Sequence, residues 1–282
     1  EFQKGFSRTV SRGPDESRII VAGTGEKGSY GIYAEAEAGS GNKITNAADI
    51  TMTFAPEEEG GGDEEEKPTL PANYGIYGWN DIENSGNISI TQQNEKSEDV
   101  FGIVSEESSI KNSGAVVING NGSAVYAGGG SLTNSGSITL NGDGYGLIAE
   151  DGDLTNSGTV TLNGYGYAVL NDGGNLTNSG EIYLNGSGWG IYAKNGNLVN
   201  NAGGNVTVNA DNLAAISGLT LEGSGYLLQN DARIILTSTG AKVTQNAKAI
   251  DGGDGSVINS GNITIGSRGV LFTDSYGIYN RG

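Results

Sequence analysis

The sequence predicts an all-β protein that folds as a parallel β-helix (solenoid) of about nine to ten coils. Three observations predict this fold: a 22-residue repeat, an apolar–polar alternation of period two within it, and 50 glycines against four prolines. Repeats of 20–50 residues are typical of solenoids. Alternation of period two is typical of strands, and glycines without a collagen-like triplet indicate turns.

The clearest mark of the repeat is the tripeptide Asn-Ser-Gly. The four successive intervals from Asn112 to Asn200 are each 22 residues long. Three full coils, 123–144, 145–166 and 167–188, align without a gap. Each reads aromatic-small-aliphatic, then a Gly/Asp/Asn turn, then Leu-Thr-Asn-Ser-Gly, then x-Ile-x-Leu-Asn-Gly. Glycine and asparagine are poor helix formers, so a helical repeat is excluded.

The alternation also predicts where the repeated asparagine points. In the stretch 132–140, Leu132, Ile138 and Leu140 share one face with Asn134, and that face must be the core. A buried amide needs hydrogen-bond partners, and coils about 4.8 Å apart would let identical asparagines bond along the stack. We therefore predict a structural asparagine ladder of Asn84, Asn112, Asn134, Asn156, Asn178, Asn200 and Asn259, with Asn46 and Asn230 fitting more loosely.

The domain organisation follows from the extent of the repeat. Residues 1–29 do not repeat and are a candidate cap, in which Ile19, Ile20 and Val21 would form a strand. Residues 30–282 form the β-helix, interrupted by an acidic insertion loop at 55–72. The favoured interpretation of this loop is a solvated acidic segment, and a ligand or calcium loop is the alternative. Coils are expected to begin near Tyr30, Tyr74, Phe101, Ser123, Tyr145, Tyr167, Trp189, Leu213, Lys248 and Tyr276.

Aromatic residues recur at the first and fourth positions of the coils. The fourth position reads Tyr33, Tyr77, Val104, Tyr126, Ile148, Leu170, Tyr192, Ile216 and Tyr279. Strict alternation would turn it outward as an apolar stripe. A bend in the strand would instead make it core, which the mixture of Ile, Leu and Tyr favours. An exposed row of tyrosines would make a contact surface for glycans or proteins, so the candidate ligand-binding residues are Tyr33, Tyr77, Tyr126 and Tyr192.

Composition argues against catalysis, cofactors and nucleic-acid binding. The chain has no histidine and no cysteine, so the commonest general base and the thiolate nucleophile are missing. Its net charge of −18 disfavours phosphate backbones as partners. The best paired carboxylates are Glu150, Asp151 and Asp153, with Asp172 expected in the same turn column as Asp151. Lys194 is the nearest base to them. Turn chemistry explains these acids, and we expect no catalytic or metal-binding residues.

The coil 145–164 resembles the passenger repeats of large bacterial type V autotransporter adhesins. The Gly-Ile-Tyr starts and Asn-Ser-Gly turns are most similar to those of the fusobacterial outer-membrane family. This resemblance covers most of residues 30–282. It implies a right-handed β-helix displayed at the bacterial cell surface. Membrane contact would come only through a C-terminal barrel that this sequence does not contain.

The resulting functional hypothesis is a non-catalytic, secreted adhesin segment involved in virulence. It would attach non-covalently to a glycoprotein or glycan on host or bacterial cells. Two alternatives stay open. A polysaccharide-degrading β-helix enzyme would show a carboxylate or Lys/Arg cluster on one outer sheet, and a non-binding stalk would show no dependence on the aromatic columns.

Overall fold

The computed structural model describes residues 7–12, 17–23, 29–34, 43–54, 72–93, 99–210, 216–238, 244–267 and 272–281. In these ranges the chain forms 32 strands and no helix. Strands three apart along the chain, or four apart near its C-terminal end, pair in parallel and build three long sheets. The chain is therefore an all-β parallel β-helix, and the predicted fold class is confirmed.

Each coil contributes one strand to each sheet in turn. The first sheet contains the aromatic starts of the coils. Its ten strands are β3 (Tyr30–Ala34), β6 (Asn73–Gly78), β9 (Val100–Ser105), β12 (Gly122–Ala127), β15 (Gly144–Ala149), β18 (Gly166–Asn171), β21 (Gly188–Lys194), β24 (Ile216–Glu222), β28 (Ala247–Asp251) and β32 (Tyr276–Tyr279).

The second sheet contains the Leu-Thr-Asn segments, and most of its strands are short. They are β4 (Lys43–Asn46), β7 (Asp81–Asn84), β10 (Ile110–Asn112), β13 (Leu132–Asn134), β16 (Leu154–Asn156), β19 (Leu176–Asn178), β22 (Leu198–Asn200), β25 (Ser224–Asn230) and β29 (Asp254–Asn259).

The third sheet contains the Ile-x-Leu segments. Its strands are β1 (Ser7–Arg12), β2 (Ser17–Gly23), β5 (Asp49–Phe54), β8 (Ile88–Gln92), β11 (Val116–Asn119), β14 (Ser137–Asn141), β17 (Thr159–Asn163), β20 (Ile182–Asn185), β23 (Val206–Ala210), β26 (Ile234–Ser238) and β30 (Ile263–Ser267). A separate pair, β27 (Thr244–Gln245) and β31 (Phe272–Thr273), is also parallel.

The backbone of the predicted N-terminal segment lies at the end of the third sheet. β1 pairs antiparallel with β2, and β2 pairs in parallel with β5, placing Ile19, Ile20 and Val21 beside Ile50, Thr51 and Met52. The role of residues 1–29 as a cap stays a prediction. The predicted acidic loop 55–72 lies outside the described residues except for Ala72.

One apolar core runs along the inside of the stack. The inward residues of the gap-free coils, such as Leu132, Ile138, Leu140 and Leu147, are fully buried. They belong to a single cluster that extends from Ile44 to Ile250. Because inward and outward side chains alternate along each strand of the second and third sheets, the 22-residue repeat translates directly into stacked apolar columns.

The first sheet breaks this alternation. In β18, Ala168 and Val169 are both buried, whereas Tyr167 before them and Leu170 after them are half-buried. The second position of the coil must be small, because it approaches the third sheet. A Cβ on Gly146 would lie 2.6 Å from Cγ1 of Val160. Glycine or alanine at this position permits the strand to bend there, and the first and fourth positions, on either side of the buried pair, face outward.

The register of the eighth coil differs from the one predicted. We expected a start at Leu213 with Ile216 in the fourth position. The strands instead pair Trp189 with Ser217 and Tyr192 with Thr220. The interval from Trp189 to Ser217 is 28 residues, whereas sequence alignment suggested 24. Of the six residues beyond the 22-residue period, two precede β23 and four lie between β23 and β24.

Candidate functional site

The four candidate tyrosines lie in one column on the outer face of the first sheet. Tyr33 pairs with Tyr77, and their rings stack with centroids 5.8 Å apart. Tyr126 and Tyr192 lie further along the same column, separated by aliphatic residues. The structure thus brings Tyr33 and Tyr77 together and leaves the other two apart from them.

The favoured expectation that this fourth position belongs to the core is wrong. Tyr33 is 47 % exposed, and Tyr77, Tyr126 and Tyr192 are half-buried. Val104 and Ile148 in the same column are buried, but neither is part of the core cluster. The column points outward because the strand bends between its second and third positions.

The first-position aromatics form a second outward column beside the first. One cluster stacks Tyr30 on Tyr74 at 5.2 Å and Tyr74 on Phe101 at 5.1 Å. Trp79 meets Tyr77 edge to face at 5.4 Å. Offset-stacked and edge-to-face ring pairs of this kind are favourable beyond the area they bury.

A second aromatic cluster lies further along the rod. Tyr145, Tyr167 and Trp189 stack in sequence at 5.5 Å and 4.5 Å. Tyr192 contacts Tyr167 edge to face at 5.4 Å. Ser123 interrupts the first-position column between Phe101 and Tyr145, which divides the outer face into two aromatic clusters.

Carboxylates border the tyrosine column at the turn that follows the first sheet. The backbone N–H of Glu106 donates to the carbonyl of Gly78 over 3.1 Å, and that of Glu150 donates to the carbonyl of Ala127 over 3.0 Å. These bonds place the two carboxylates beside Tyr77 and Tyr126. Burial, followed by the neighbouring carboxylate charge and hydrogen bond, raises the pKa of both tyrosines well above the usual range. Both phenols are therefore neutral donors at physiological pH.

A lysine lies on the outer face of the first sheet near its C-terminal end. Lys248 lies in the first-position column and Asp251 in the fourth, opposite Tyr276 and Tyr279 of the next coil. The Lys248 Nζ atom is 2.6 Å from an Asp251 carboxylate oxygen and 4.2 Å from the centre of the Tyr279 ring. This face of the sheet thus accommodates an ammonium group between a ring and a carboxylate.

The candidate catalytic carboxylates are arranged differently from the prediction. Ala149 pairs with Asn171, which aligns Glu150 with Asp172, one position earlier than expected. Lys194, in the same column, forms an ion pair with Asp172 at 3.0 Å. Asp153 accepts a hydrogen bond from the backbone of Asn175 at 2.7 Å. Asp172 and Asp153 therefore have structural partners in the neighbouring coil.

The predicted asparagine ladder lies on the inner side of the second sheet. Each Nδ2 donates to the Oδ1 of the next asparagine over 2.7–2.9 Å. This chain of eight hydrogen bonds joins Asn46, Asn84, Asn112, Asn134, Asn156, Asn178, Asn200, Asn230 and Asn259. In all but Asn200, Nδ2 also donates to the carbonyl two residues on, which satisfies the corner of the coil.

A second asparagine ladder was missed by sequence reasoning. The asparagines of the Leu-Asn-Gly segments bond to one another on the outer side of the third sheet over 2.6–2.9 Å. The members are Asn119, Asn141, Asn163, Asn185 and Asn209. The sequence does contain a signal for this ladder, because these asparagines recur with the same period as Asn-Ser-Gly.

A polar groove crosses the outer face of the second sheet. It has a volume of about 290 Å³ and is lined by Thr45, Glu83, Ser85, Lys111, Ser113, Thr133 and Ser135, among others. Lys43 pairs closely with Glu83, and the Lys111 Nζ atom lies 3.8 Å from the other carboxylate oxygen. The hydrogen bond from Lys43 lowers the pKa of Glu83. The groove combines one carboxylate, one ammonium group and a row of hydroxyls, and Lys43 is bound to the same carboxylate.

Two further kinds of site were sought in the described ranges. No group of three or more acidic, histidine or cysteine residues is placed to hold a metal ion there. Those ranges also contain no helix of the length and hydropathy needed to cross a membrane.

The three parallel sheets and the stacked asparagines define the class of protein as a parallel β-helix. The model of one such family, the BigA third pectate lyase-like domain, matches residues 15–239. Because this match covers most of the chain, the chain belongs to that family. No curated protein and no solved structure matches it. The repeats are thus of the passenger type found in a surface-exposed bacterial protein.

Proposed function

We propose that this domain is a non-catalytic adhesive segment of an autotransporter-type protein at the bacterial outer membrane. It would attach non-covalently to a glycoprotein or glycan on host or bacterial cells and so contribute to virulence. The observation that carries the proposal is the pair of outward aromatic columns on the first sheet. Large aromatic side chains are the commonest energetic centres of protein interfaces.

The architecture supports this role in a second way. Ring-to-ring contacts and backbone pairing hold the aromatic groups in place before any partner arrives. Preorganised contact residues lose little conformational entropy on binding. Tyr30 and Tyr33, at 42 % and 47 % exposure, are the most open members of the columns.

The experiment is the binding of the purified, labelled domain to epithelial cells and to other bacteria. Saturable binding is expected, and it should fall after either glycosidase or protease treatment, which would identify the class of ligand. The double variant Tyr33→Ala/Tyr77→Ala should bind at least several-fold more weakly. Tyr183→Ala, on the outer face of the third sheet, is the matched control and should bind normally. Absence of binding to every surface tested would contradict the proposal and favour the alternative, a non-binding stalk.

The groove on the second sheet favours the enzyme as a second candidate. The two lysines beside Glu83 would bind the carboxylates of an acidic sugar polymer, and Glu83 would position their ammonium groups. Incubation with polysaccharides, followed by measurement of chain length, distinguishes the two functions. Shortening that is lost in Glu83→Gln and Lys111→Met would establish the enzyme, whereas unchanged length with intact cell binding supports the adhesin.

A further inference from the structure

We propose that the outer face of the first sheet binds a lysine- or arginine-rich segment of a partner protein. This inference rests on the proposed adhesive function and names the chemistry of the partner. The surface in question is the tyrosine–carboxylate strip, defined as Tyr77, Glu106, Tyr126 and Glu150. It occupies one edge of the sheet over β6 to β15 and the turns that follow β9 and β15.

The first argument is charge. Glu106 and Glu150 lie beside the neutral phenols of Tyr77 and Tyr126, which bring no positive charge to either carboxylate. Glu106, Glu150 and Asp151 all contribute to the potential at Tyr126. Within the described ranges none of the ion pairs involves Glu106 or Glu150. A cationic partner therefore meets uncompensated charge here.

The second argument is that the sheet already binds ammonium groups of its own further along. Lys248 sits between Asp251 and the face of Tyr279. Both of these partners lie in the fourth-position column that also contains Tyr77 and Tyr126. Lys194 neutralises Asp172 in the turn column that also contains Glu150. Toward the C-terminus the chain thus supplies lysines to this edge, and in the strip the described chain supplies none.

The third argument concerns the faces of the rings. Within the aromatic clusters the faces are covered by the next ring, as in the Tyr167–Trp189 stack. Sugars bind aromatic residues by lying flat against an open face, so these clusters present mainly edges and hydroxyls to a glycan. Carboxylates along an aromatic border suit ammonium and guanidinium groups, which donate charge-assisted hydrogen bonds to them.

The overall charge supports the same partner. At a net charge of −18 the domain repels acidic surfaces and further copies of itself. It attracts basic ones, which accelerates their encounter.

The test is binding of a fluorescent, lysine-rich peptide to the complete 282-residue chain, followed by anisotropy at physiological salt. The same peptide with acetylated lysines is the ligand control. The double variant Glu106→Gln/Glu150→Gln keeps the shape of the strip and removes two charges. It should weaken binding roughly tenfold, since charge-assisted hydrogen bonds are lost. Glu181→Gln/Asp231→Asn changes the net charge equally on other surfaces and should bind as the unmodified chain does.

Equal affinities for the two double variants, or equal binding of the acetylated peptide, would overturn the inference. Circular dichroism and a thermal melt establish that the variants are folded. Cell binding separates this inference from the proposed function. If cells bind the chain and Glu106→Gln/Glu150→Gln equally, the partner is not cationic and adhesion stands. If the peptide binds at the strip but the chain binds no cell surface, the inference about the strip is supported and the proposed adhesive function is contradicted.

Discussion

Asn156 and Asn163 lie seven residues apart in one coil, and both hydrogen-bond to asparagines in the coils above and below. Asn156 belongs to the inner ladder and is fully buried. Asn163 belongs to the outer ladder and is exposed. The two columns have the same residue, the same period and similar bond lengths. Only the side of the strand differs.

That difference changes how much the hydrogen bonds contribute to the free energy of folding. Water can replace the partners of Asn163, so its bonds contribute little net free energy. No water reaches Asn156, whose Nδ2 also donates to the carbonyl of Gly158 over 3.1 Å. Loss of this side chain would leave buried polar groups unpaired, which is costly. The repeat alone therefore does not reveal which column stabilises the fold.

The largest expected effect is at the glycine beside the inner ladder. A Cβ on Gly158 would come into severe conflict with the carbonyl oxygen of Gly136 and would lie 2.9 Å from Nδ2 of Asn134. Gly158→Val should therefore lower the free energy of unfolding by more than about 3 kcal/mol or prevent folding. Urea denaturation followed by circular dichroism measures it. Ser157→Ala, at the exposed neighbour, is the control, and equal stabilities for both variants would refute the close approach.

Asn156→Ala is expected to come next, with a loss of about 2–4 kcal/mol. It removes the donor to Asn178 and Gly158 and the acceptor for Asn134. The same denaturation experiment applies, with hydrogen exchange at the Gly158 corner as a local measurement. A loss below about 0.5 kcal/mol would mean that the inner ladder is no more important than a surface contact.

The outer face should also make stability depend on pH at the alkaline end. The pKa of Tyr126 is raised in the folded chain by burial and then by Glu150, whereas an unfolded tyrosine titrates near about 10. The stabilisation is complete below that pH and is lost as the pH rises through the higher folded pKa. Tyr126→Phe should flatten this decline between about pH 10 and 11 in denaturation curves. A slope identical to that of the unmodified chain would exclude the coupling.

The smallest expected effect is that of Asn163→Ala, the counterpart of Asn156→Ala in the same coil. Exposure of its hydrogen bonds to water limits the loss to below about 0.5 kcal/mol. Paired denaturation curves of the two variants test the comparison directly. Equal losses would show that the bonds along the stack, rather than burial, determine stability.

Much of the fold could be predicted because one coil is repeated many times. A 22-residue period fixes which residues of successive coils stack, and Leu132, Ile138 and Leu140 identify the inner side. Where the period changes, the residues that stack can no longer be found by counting from one coil to the next. The register from Trp189 to Ser217 was missed because no local signal says how many residues a longer corner absorbs.

The candidate site was predictable only in part. The tyrosine column was identifiable, but its direction depended on a bend at the second position that alternation does not anticipate. Glu106 lies beside Tyr77, and Glu150 beside Tyr126, although the two members of each pair belong to different coils. They therefore follow from stacking rather than from spacing within a repeat.

The sequence by itself determined the class of fold, the period of the coil and the identity of the inner asparagine column. These are properties of a local pattern repeated at constant spacing, and each copy reinforces the same alignment. Only the tertiary structure decided that the aromatic columns face outward, that the outer asparagines form their own ladder, and that carboxylates border the tyrosines. Each of these depends on the close approach of two sheets or two coils, where the size of a Cβ and access to water determine which arrangement has the lower free energy.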